Sequence, residues 1–294
     1  MILGSSGFMT TIAIFLVLLS ALFHALWNYV AKRVDGGALF VWFFSIFETI
    51  IFLPLALYAL IQQNTPMPLQ AWGFIGSSAI FHVLYYVLLV NGYRVGDLSI
   101  VYPLARGIGP LLATIGAIAL FSERPTIVAM IGALFVCGGV IGLTGDPRQL
   151  TDKGALPGVS YAILTGIAIA AYTLWDSYAM GTVQISPIIY QSGTSSVRLM
   201  LLTPYALHNK DKLPPLRKNH WKAAVFIGAF GWLSYILILI AFRTSPVSYV
   251  APLRVISTLI GVMFGAGLLK EGDIARRLSA ATVMIIGVFA IGIG

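Results

Sequence analysis

Apolar runs of about 20 residues recur along almost the whole chain, and no other feature of the sequence limits its fold as strongly. An α-helix rises about 1.5 Å per residue, so a run of this length crosses the ~30 Å hydrocarbon core of a bilayer. Hydrophobic residues make up 59% of the 294 positions and charged residues only 10%, which leaves little chain for a water-soluble domain. The sequence therefore predicts an all-α integral membrane protein.

Charges, prolines and polar clusters divide the apolar sequence into ten predicted transmembrane helices. We place these spans at 10–31, 38–62, 71–93, 97–121, 125–144, 155–179, 185–207, 220–242, 246–269 and 275–293. A long polar break from Gly145 to Lys153 separates two sets of five. We therefore expect a first five-helix repeat over 1–145, a linker over 146–154 and a second five-helix repeat over 155–294.

The two halves also repeat one another in sequence. The segment 94–104 matches 243–253 at a constant offset of 149 residues, and Tyr86 matches Tyr235 at the same offset. Because five helices is an odd number, the second half enters the membrane from the opposite side, which makes the repeats inverted. Inverted repeats are typical of secondary transporters, in which two halves expose a midplane site to either side in turn. The alternative is that the duplication merely produced a stable bundle.

Basic residues are distributed unevenly between the predicted loops. Thirteen follow odd-numbered spans, whereas only Arg124 and Arg243 follow even-numbered ones. The positive-inside rule then places both termini on the outer side. The net charge of +8 is thus a topology signal, and we expect no nucleic-acid partner.

Five ionisable residues inside the predicted spans are the candidates for function. An ionisable side chain costs about 2.5–3.5 kcal/mol at the bilayer centre on insertion scales unless it is paired or faces a cavity. These residues are Glu48, Arg106, Asp176, Arg198 and Arg254. Glu48 and Arg198 occupy nearly equivalent places in spans two and seven, so we expect them to form a structural ion pair.

Arg106 and Arg254 each follow a proline that interrupts a predicted span. A proline has no N–H, so the carbonyl of the serine four residues earlier loses its helical partner. We expect such backbone to line a path through the membrane, with spans four and nine contributing. The predicted gating or kink positions are Pro103, Pro252, Ser99 and Ser248. The alternatives are ordinary kinks repaired by neighbouring serines, and arginines that snorkel or pair with acidic residues.

Asp176 stands where the first half has Asn28, each directly after a tryptophan. A lone intramembrane carboxylate is able to bind a substrate ammonium or take up a proton, and equally to act as a hydrogen-bonded clamp between helices. Aromatic and polar side chains on nearby faces predict a pocket for an organic ligand. The predicted substrate-binding set is Arg106, Arg254, Asp176, Trp27, Asn28, His82, Tyr86, Tyr102, Tyr172 and Tyr235.

Motifs for other chemistries are missing from the sequence. The single cysteine, Cys137, lies in an apolar run, so we expect neither a disulfide framework nor a metal site. There is no Walker loop, HExxH motif or nucleophile elbow, so we predict no cofactor and no enzymatic activity. The competing hypothesis is a membrane enzyme or a flippase for a lipid-linked substrate, with His82 and Asp176 as acid and base in the same cavity.

These residues resemble the drug/metabolite transporter superfamily, specifically its EamA-type proteins. The resembling segments are 24–28, 82–86, 96–107, 122–125, 171–176 and 250–254, so the likeness covers both halves. Two positions depart from the family: Ser122 replaces a frequent glycine, and His24 and Asn28 stand where small multidrug members carry a glutamate. The second departure argues against exchange of cationic drugs.

The resemblance implies ten helices, a central cavity, alternating access without ATP, and export or exchange of a small metabolite such as an amino acid. Within the superfamily the chain looks most similar to the branch associated with phosphonate use. The partners implied are the lipid bilayer, a small-molecule substrate and a coupling proton, in a monomer or homodimer. The expected location is a bacterial inner membrane, in which the protein is multi-pass.

Overall fold

The computed structural model describes residues 9–31, 33–34, 37–63, 66–143, 154–260 and 274–294. Within these ranges the chain forms ten α-helices, a further helical segment at 256–260 and no strand, which confirms the all-helical prediction. The helices are α1 (Thr11–Ala31), α2 (Gly37–Ile61), α3 (Leu69–Val95), α4 (Leu98–Phe121), α5 (Ile127–Gly142), α6 (Leu156–Gly181), α7 (Pro187–His208), α8 (Leu213–Phe242), α9 (Val247–Leu253) and α10 (Ile274–Ile293). A short 3₁₀ turn, Lys210–Lys212, precedes α8.

Two predicted boundaries differ from the structure. Helix α8 begins at Leu213, within the segment predicted as a loop, because Pro214 and Pro215 occupy its first turn, where a missing N–H costs no hydrogen bond. Predicted span nine is interrupted: α9 ends at Leu253, and helix resumes over 256–260. The rest of that span lies outside the described residues, as does the predicted linker apart from Gly154.

Lengths and surfaces fit a membrane environment. Among the described residues, six helices are long and apolar enough to cross a bilayer, namely α1, α2, α3, α4, α6 and α8, and shorter apolar helices cover Ile127–Gly142, Val247–Ile260 and Leu278–Ile293. Helix α7 has 22 residues, but its polar first half lowers its mean hydropathy. Large apolar side chains such as Leu120 and Phe289 are about 70% exposed, whereas Ser45 and Asp176 are fully buried. Large apolar side chains therefore cover much of the outer surface, and several polar side chains are buried in the interior beside the apolar core.

Contacts between helices follow the repeat. In the repeat, α1 to α5 are equivalent to α6 to α10, in that order. The contact of α1 with α8 is therefore equivalent to that of α6 with α3, and the contact of α2 with α8 to that of α7 with α3; all four are present. Three further contacts join equivalent helices directly: α2 with α7, α4 with α9 and α5 with α10. The interior is thus built where the two halves meet, and it brings α4 and α9 together.

Glycines allow the closest helix contacts. A Cβ atom on Gly132 of α5 would lie 2.7 Å from the carbonyl oxygen of Gly287 on α10, and one on Gly96 would lie 2.6 Å from the Cα of Gly158. In lipid, where apolar burial does not drive helix association, such backbone approach supplies the packing energy. These contacts hold α5 against α10 and the start of α4 against α6.

Candidate functional site

A small cavity between α4, α6 and the segment after α9 contains both predicted arginines. Its volume is about 20 Å³, and its lining includes Arg106, Tyr172, Thr173, Arg254 and Thr258. That volume holds about one water molecule, so the structure describes the site in a closed arrangement. We call this space the central cavity.

Aromatic rings surround the two guanidinium groups. Arg106 donates from Nη2 to the hydroxyl of Tyr85 at 3.1 Å, and its Cζ lies 5.6 Å from the ring centre of Tyr102. The Cζ of Arg254 lies 4.9 Å from the ring centre of Tyr235 and 5.9 Å from that of Tyr172. These distances permit cation–π attraction, which stabilises a cation without neutralising it.

Neither arginine forms an ion pair with a carboxylate among the described residues. Within those ranges the one ion pair joins Arg198 to Glu48. Arg106 and Arg254 are half-buried and both line the central cavity. Two positive charges therefore share one interior space without a described acidic partner.

Asp176, the other predicted charge near this cavity, is held by tyrosines. It is fully buried, and its Oδ1 accepts a hydrogen bond from the hydroxyl of Tyr190 at 2.6 Å. Its Oδ2 accepts a second hydrogen bond from the hydroxyl of Tyr235. Because the ring of Tyr235 also faces Arg254, this tyrosine connects the carboxylate to the central cavity.

His82 lies beside the same tyrosines. Its ring stacks on that of Tyr172 with centres 4.4 Å apart and meets the edge of Tyr235 at 5.3 Å. Its Nδ1 is 2.9 Å from the carbonyl oxygen of Ser78, which fixes the proton on Nδ1 in the neutral ring. In the part of the chain that the structure describes, no direct hydrogen bond joins His82 to Asp176.

Trp27 and Asn28 are not among the residues that line the central cavity. The amide of Asn28 donates to the carbonyl oxygen of His24 at 2.7 Å, within its own helix. The ring of Trp27 meets that of His24 edge-on at 4.9 Å. The Nε1 of Trp27 and the Nε2 of His24 are buried without a hydrogen-bond partner among the described residues.

Glu48 and Arg198 are in contact, with both side chains about 4% exposed. The Oε1 of Glu48 also accepts hydrogen bonds from Ser195 at 2.5 Å and Gln191 at 3.3 Å, and the Nε of Arg198 donates to Ser45 at 3.1 Å. This network joins α2 to α7. Tyr86, predicted to bind substrate, lies near it, with its ring centre 5.8 Å from the Cζ of Arg198.

The two predicted kinks differ in the structure. Helix α4 runs through Pro103 without interruption, whereas α9 ends one residue after Pro252. Beyond Pro252 the amides of residues 255, 257 and 258 bond to carbonyls three residues earlier, which is 3₁₀ geometry. Arg254 lies at this change of geometry. The side chain of Ser99 is outside the described residues, and the buried hydroxyl of Ser248 has no described hydrogen-bond partner.

Several residues at the site were not predicted from the sequence. Tyr85 and Tyr190 bind Arg106 and Asp176 across helices, and no spacing in the sequence indicates such partners. Thr258 lines the central cavity, and its buried hydroxyl has no described hydrogen-bond partner. Because the hydrogen bonding changes between Arg254 and Thr258, regular helical spacing does not predict that both line this cavity.

A larger cavity lies at the end of the bundle where α4, α6 and α8 finish and α9 begins. Its volume is about 530 Å³. One wall is formed by the α4–α5 connection, in which Glu123 accepts the backbone N–H of Val247 and that of Ser248, both at 2.9 Å. These bonds attach the α4–α5 connection to the first turn of α9. We call this space the end vestibule.

Comparisons with known proteins agree with this architecture. The profile of the EamA-like transporter family matches residues 11–145 and again 156–293. One solved crystal structure superposes with a TM-score of 0.75 at 15% identity and covers 96% of this chain and 96% of its own, which shows a shared fold. No curated protein matches the chain. Since the two family matches together span most of the sequence, this multi-pass membrane protein belongs to the EamA-like transporter family.

Proposed function

We propose that the chain is a secondary transporter, independent of ATP, that exports or exchanges a small anionic or zwitterionic metabolite by alternating access. The observation that carries the proposal is the pair Arg106 and Arg254, which come from equivalent spans of the two repeats and line one cavity. Neither is paired with a described carboxylate. From the resemblance to EamA-type proteins we place the protein in a bacterial inner membrane, and from the distribution of basic loops we place both termini outside.

An anionic solute would supply the charge that this cavity lacks. Two guanidinium groups at membrane depth raise the free energy of the protein unless a counter-ion is present. Binding of an anion would offset their mutual repulsion. Arginine presents a planar fork that bonds a carboxylate or a phosphonate through two N–H groups at once. An amino acid or a phosphonate-like compound carries such a group and is small enough for a pocket lined by tyrosines.

Asp176 would recognise the positive end of a zwitterion. In the closed arrangement its oxygens are occupied by Tyr190 and Tyr235, and an ammonium would replace one of these hydroxyl donors. The ring of Tyr235 would stay over Arg254, so the two charged ends of a solute would lie on either side of one tyrosine. We propose the same carboxylate as the place where a coupling proton binds.

Alternating access would involve the segment around Arg254. The central cavity is too small for a metabolite, so entry requires one wall to move. The interruption after α9 is the weakest part of that wall, because 3₁₀ hydrogen bonds have poorer geometry than α-helical ones. Displacement of α9 would open the cavity toward the end vestibule.

The test is counterflow into liposomes that contain the purified protein, with radiolabelled glutamate, alanine, 2-aminoethylphosphonate and the cation tetraphenylphosphonium as alternative solutes. We expect at least one anionic or zwitterionic solute to be exchanged and the cation to be excluded. Arg106→Gln and Arg254→Gln should each lower kcat/KM by about tenfold or more, since a hydrogen bond to a charged group contributes about 1.5–3 kcal/mol.

Arg217→Gln provides the matched control. Arg217 is an exposed arginine near the start of α8, so its loss removes one charge without touching the cavity. Arg106→Lys keeps the charge and loses the planar fork, and should retain part of the activity. Exchange of the cation alone, or full activity in both glutamine variants, would contradict the proposal.

A further inference from the structure

Two arginines line the end vestibule, although basic loop residues are rare at this end of the bundle. Arg124 and Arg243 both line this cavity of about 530 Å³. In the sequence they are the two basic residues that follow even-numbered spans, against thirteen that follow odd-numbered ones. They come from different repeats, and the fold brings both to the same space. The positive-inside rule does not explain why these two arginines line the same cavity.

Of the described residues that line the vestibule, Glu123 is the one acidic residue, so its single negative charge leaves the two arginines with a net positive charge. Glu123 uses one oxygen for the amide of Val247 and the other for the amide of Ser248. No ion pair joins Arg124 or Arg243 to an acidic residue within the described part of the chain. Both arginines are exposed, so their charges act on solutes in the vestibule.

A buried hydroxyl in the vestibule wall also lacks a partner. Ser248 is 2% exposed and lines the vestibule, and its Oγ forms no hydrogen bond with any described group. An unpaired hydroxyl in a buried position costs about 1–3 kcal/mol, which an arriving hydrogen-bonding solute would recover.

The vestibule and the central cavity are neighbours. On α6 the vestibule is lined by Ser177 and the central cavity by Thr173, four residues earlier. On α9 the corresponding residues are Ser248 and Ala251, three residues apart. One helical turn therefore separates the two spaces along both helices.

We propose that the end vestibule is a second binding site for small anions, where Arg124 and Arg243 attract a carboxylate or phosphonate and Ser248 donates a hydrogen bond to it before the solute enters the central cavity. Its role in transport rests on the proposed function, whereas its preference for anions does not. A concave surface with charge of one sign focuses the field and raises the local concentration of the opposite charge.

The anion preference can be measured without transport. A single cysteine is introduced by Thr182→Cys, at an exposed vestibule position, after Cys137→Ala removes the one native thiol. Its reaction rate is compared for sulfonatoethyl and trimethylammonioethyl methanethiosulfonate, each relative to a small free thiol. Thr182 lines the same cavity as Arg124 and Arg243, so their charges, which exceed that of Glu123, should favour the anionic reagent by about fivefold at low salt.

The variant Arg124→Gln/Arg243→Gln should lower this rate ratio by at least about threefold, and 1 M salt should do the same to the parent protein. Arg94→Gln is the matched control, because Arg94 is the exposed repeat equivalent of Arg243 at the other end of the bundle. Arg124→Lys/Arg243→Lys should preserve the ratio, which separates charge from misfolding. An unchanged ratio in the glutamine variant overturns the vestibule site.

Counterflow of 2-aminoethylphosphonate or glutamate then tests the place of the site on the path. We expect Arg124→Gln/Arg243→Gln and Ser248→Ala to raise KM severalfold and leave kcat nearly unchanged. A lower rate ratio with an unchanged KM overturns the path role. If the parent protein exchanges no anion and the ratio still falls as expected, the proposed function fails and the vestibule site stands. If the parent protein exchanges an anion normally and the ratio does not change, the vestibule site fails and the proposed function stands.

Discussion

Replacement of Arg198 by glutamine tests whether the buried pair with Glu48 holds α2 against α7. Both side chains are about 4% exposed, so neither charge is hydrated when the other is removed. Removing one partner of a buried ion pair costs about 3–5 kcal/mol, because the remaining charge stays buried without compensation. In Arg198→Gln the carboxylate of Glu48 keeps hydrogen bonds from Ser195 and Gln191. We therefore expect a loss near the lower limit, about 3 kcal/mol.

The double variant Glu48→Gln/Arg198→Gln removes both charges and retains groups able to hydrogen-bond. It should be less destabilised than either single variant, with a loss of about 1 kcal/mol, which is typical of one net hydrogen bond. The free energy of unfolding can be measured by titrating the protein in dodecyl maltoside micelles with sodium dodecyl sulfate and following circular dichroism.

Ser196→Ala on the same helix serves as the control. Among the described residues, the hydroxyl of Ser196 bonds to the carbonyl of Ser192 alone, four residues earlier, so its loss should change stability by less than about 0.5 kcal/mol. If the double variant loses the sum of the two single losses, the two residues are not coupled and the ion pair does not stabilise the α2–α7 contact.

Two further predictions concern packing and helix capping. Gly132→Ala should destabilise the α5–α10 contact by about 1–3 kcal/mol, because the new methyl group meets backbone that cannot move aside. Gly138→Ala, whose added carbon has no described atom within 4 Å, should leave the unfolding midpoint unchanged. Glu123→Ala should speed hydrogen exchange at the amides of Val247 and Ser248 by about fivefold or more, since both lose their acceptor; unchanged exchange there would show that these bonds do not hold the first turn of α9.

Most of the fold could be predicted from hydropathy, because lipid requires long apolar helices and leaves few alternatives. The errors lie where local chemistry competes with hydropathy. The segment before His220 reads as a polar break, yet Pro214 and Pro215 begin a helix there because a helix leaves its first amides unpaired in any case. Pro103 and Pro252 lie in matching sequence segments of the two repeats. The helix nevertheless ends only after Pro252, whereas α4 continues through Pro103.

The arginines of the central cavity could be predicted because charge at membrane depth is rare. The hydroxyl partners of Arg106 and Asp176 could not be predicted in the same way, since they belong to tyrosines on other helices, and the sequence contains 13 tyrosines. Tyr85 reaches Arg106 from α3, and Tyr190 reaches Asp176 from α7. Hydropathy and spacing describe single helices, whereas these contacts depend on the rotation of one helix against another, which packing of the whole bundle decides.

The repeat also predicts equivalent positions better than equivalent chemistry. Asn28 and Asp176 follow matching tryptophans, yet Asn28 bonds to its own helix while Asp176 accepts hydrogen bonds from two other helices. The carboxylate of Asp176 is thus held by the hydroxyls of Tyr190 and Tyr235, and it forms no ion pair with Arg254 among the described residues. Divergence between the halves therefore gives equivalent positions of the repeat different hydrogen-bond partners.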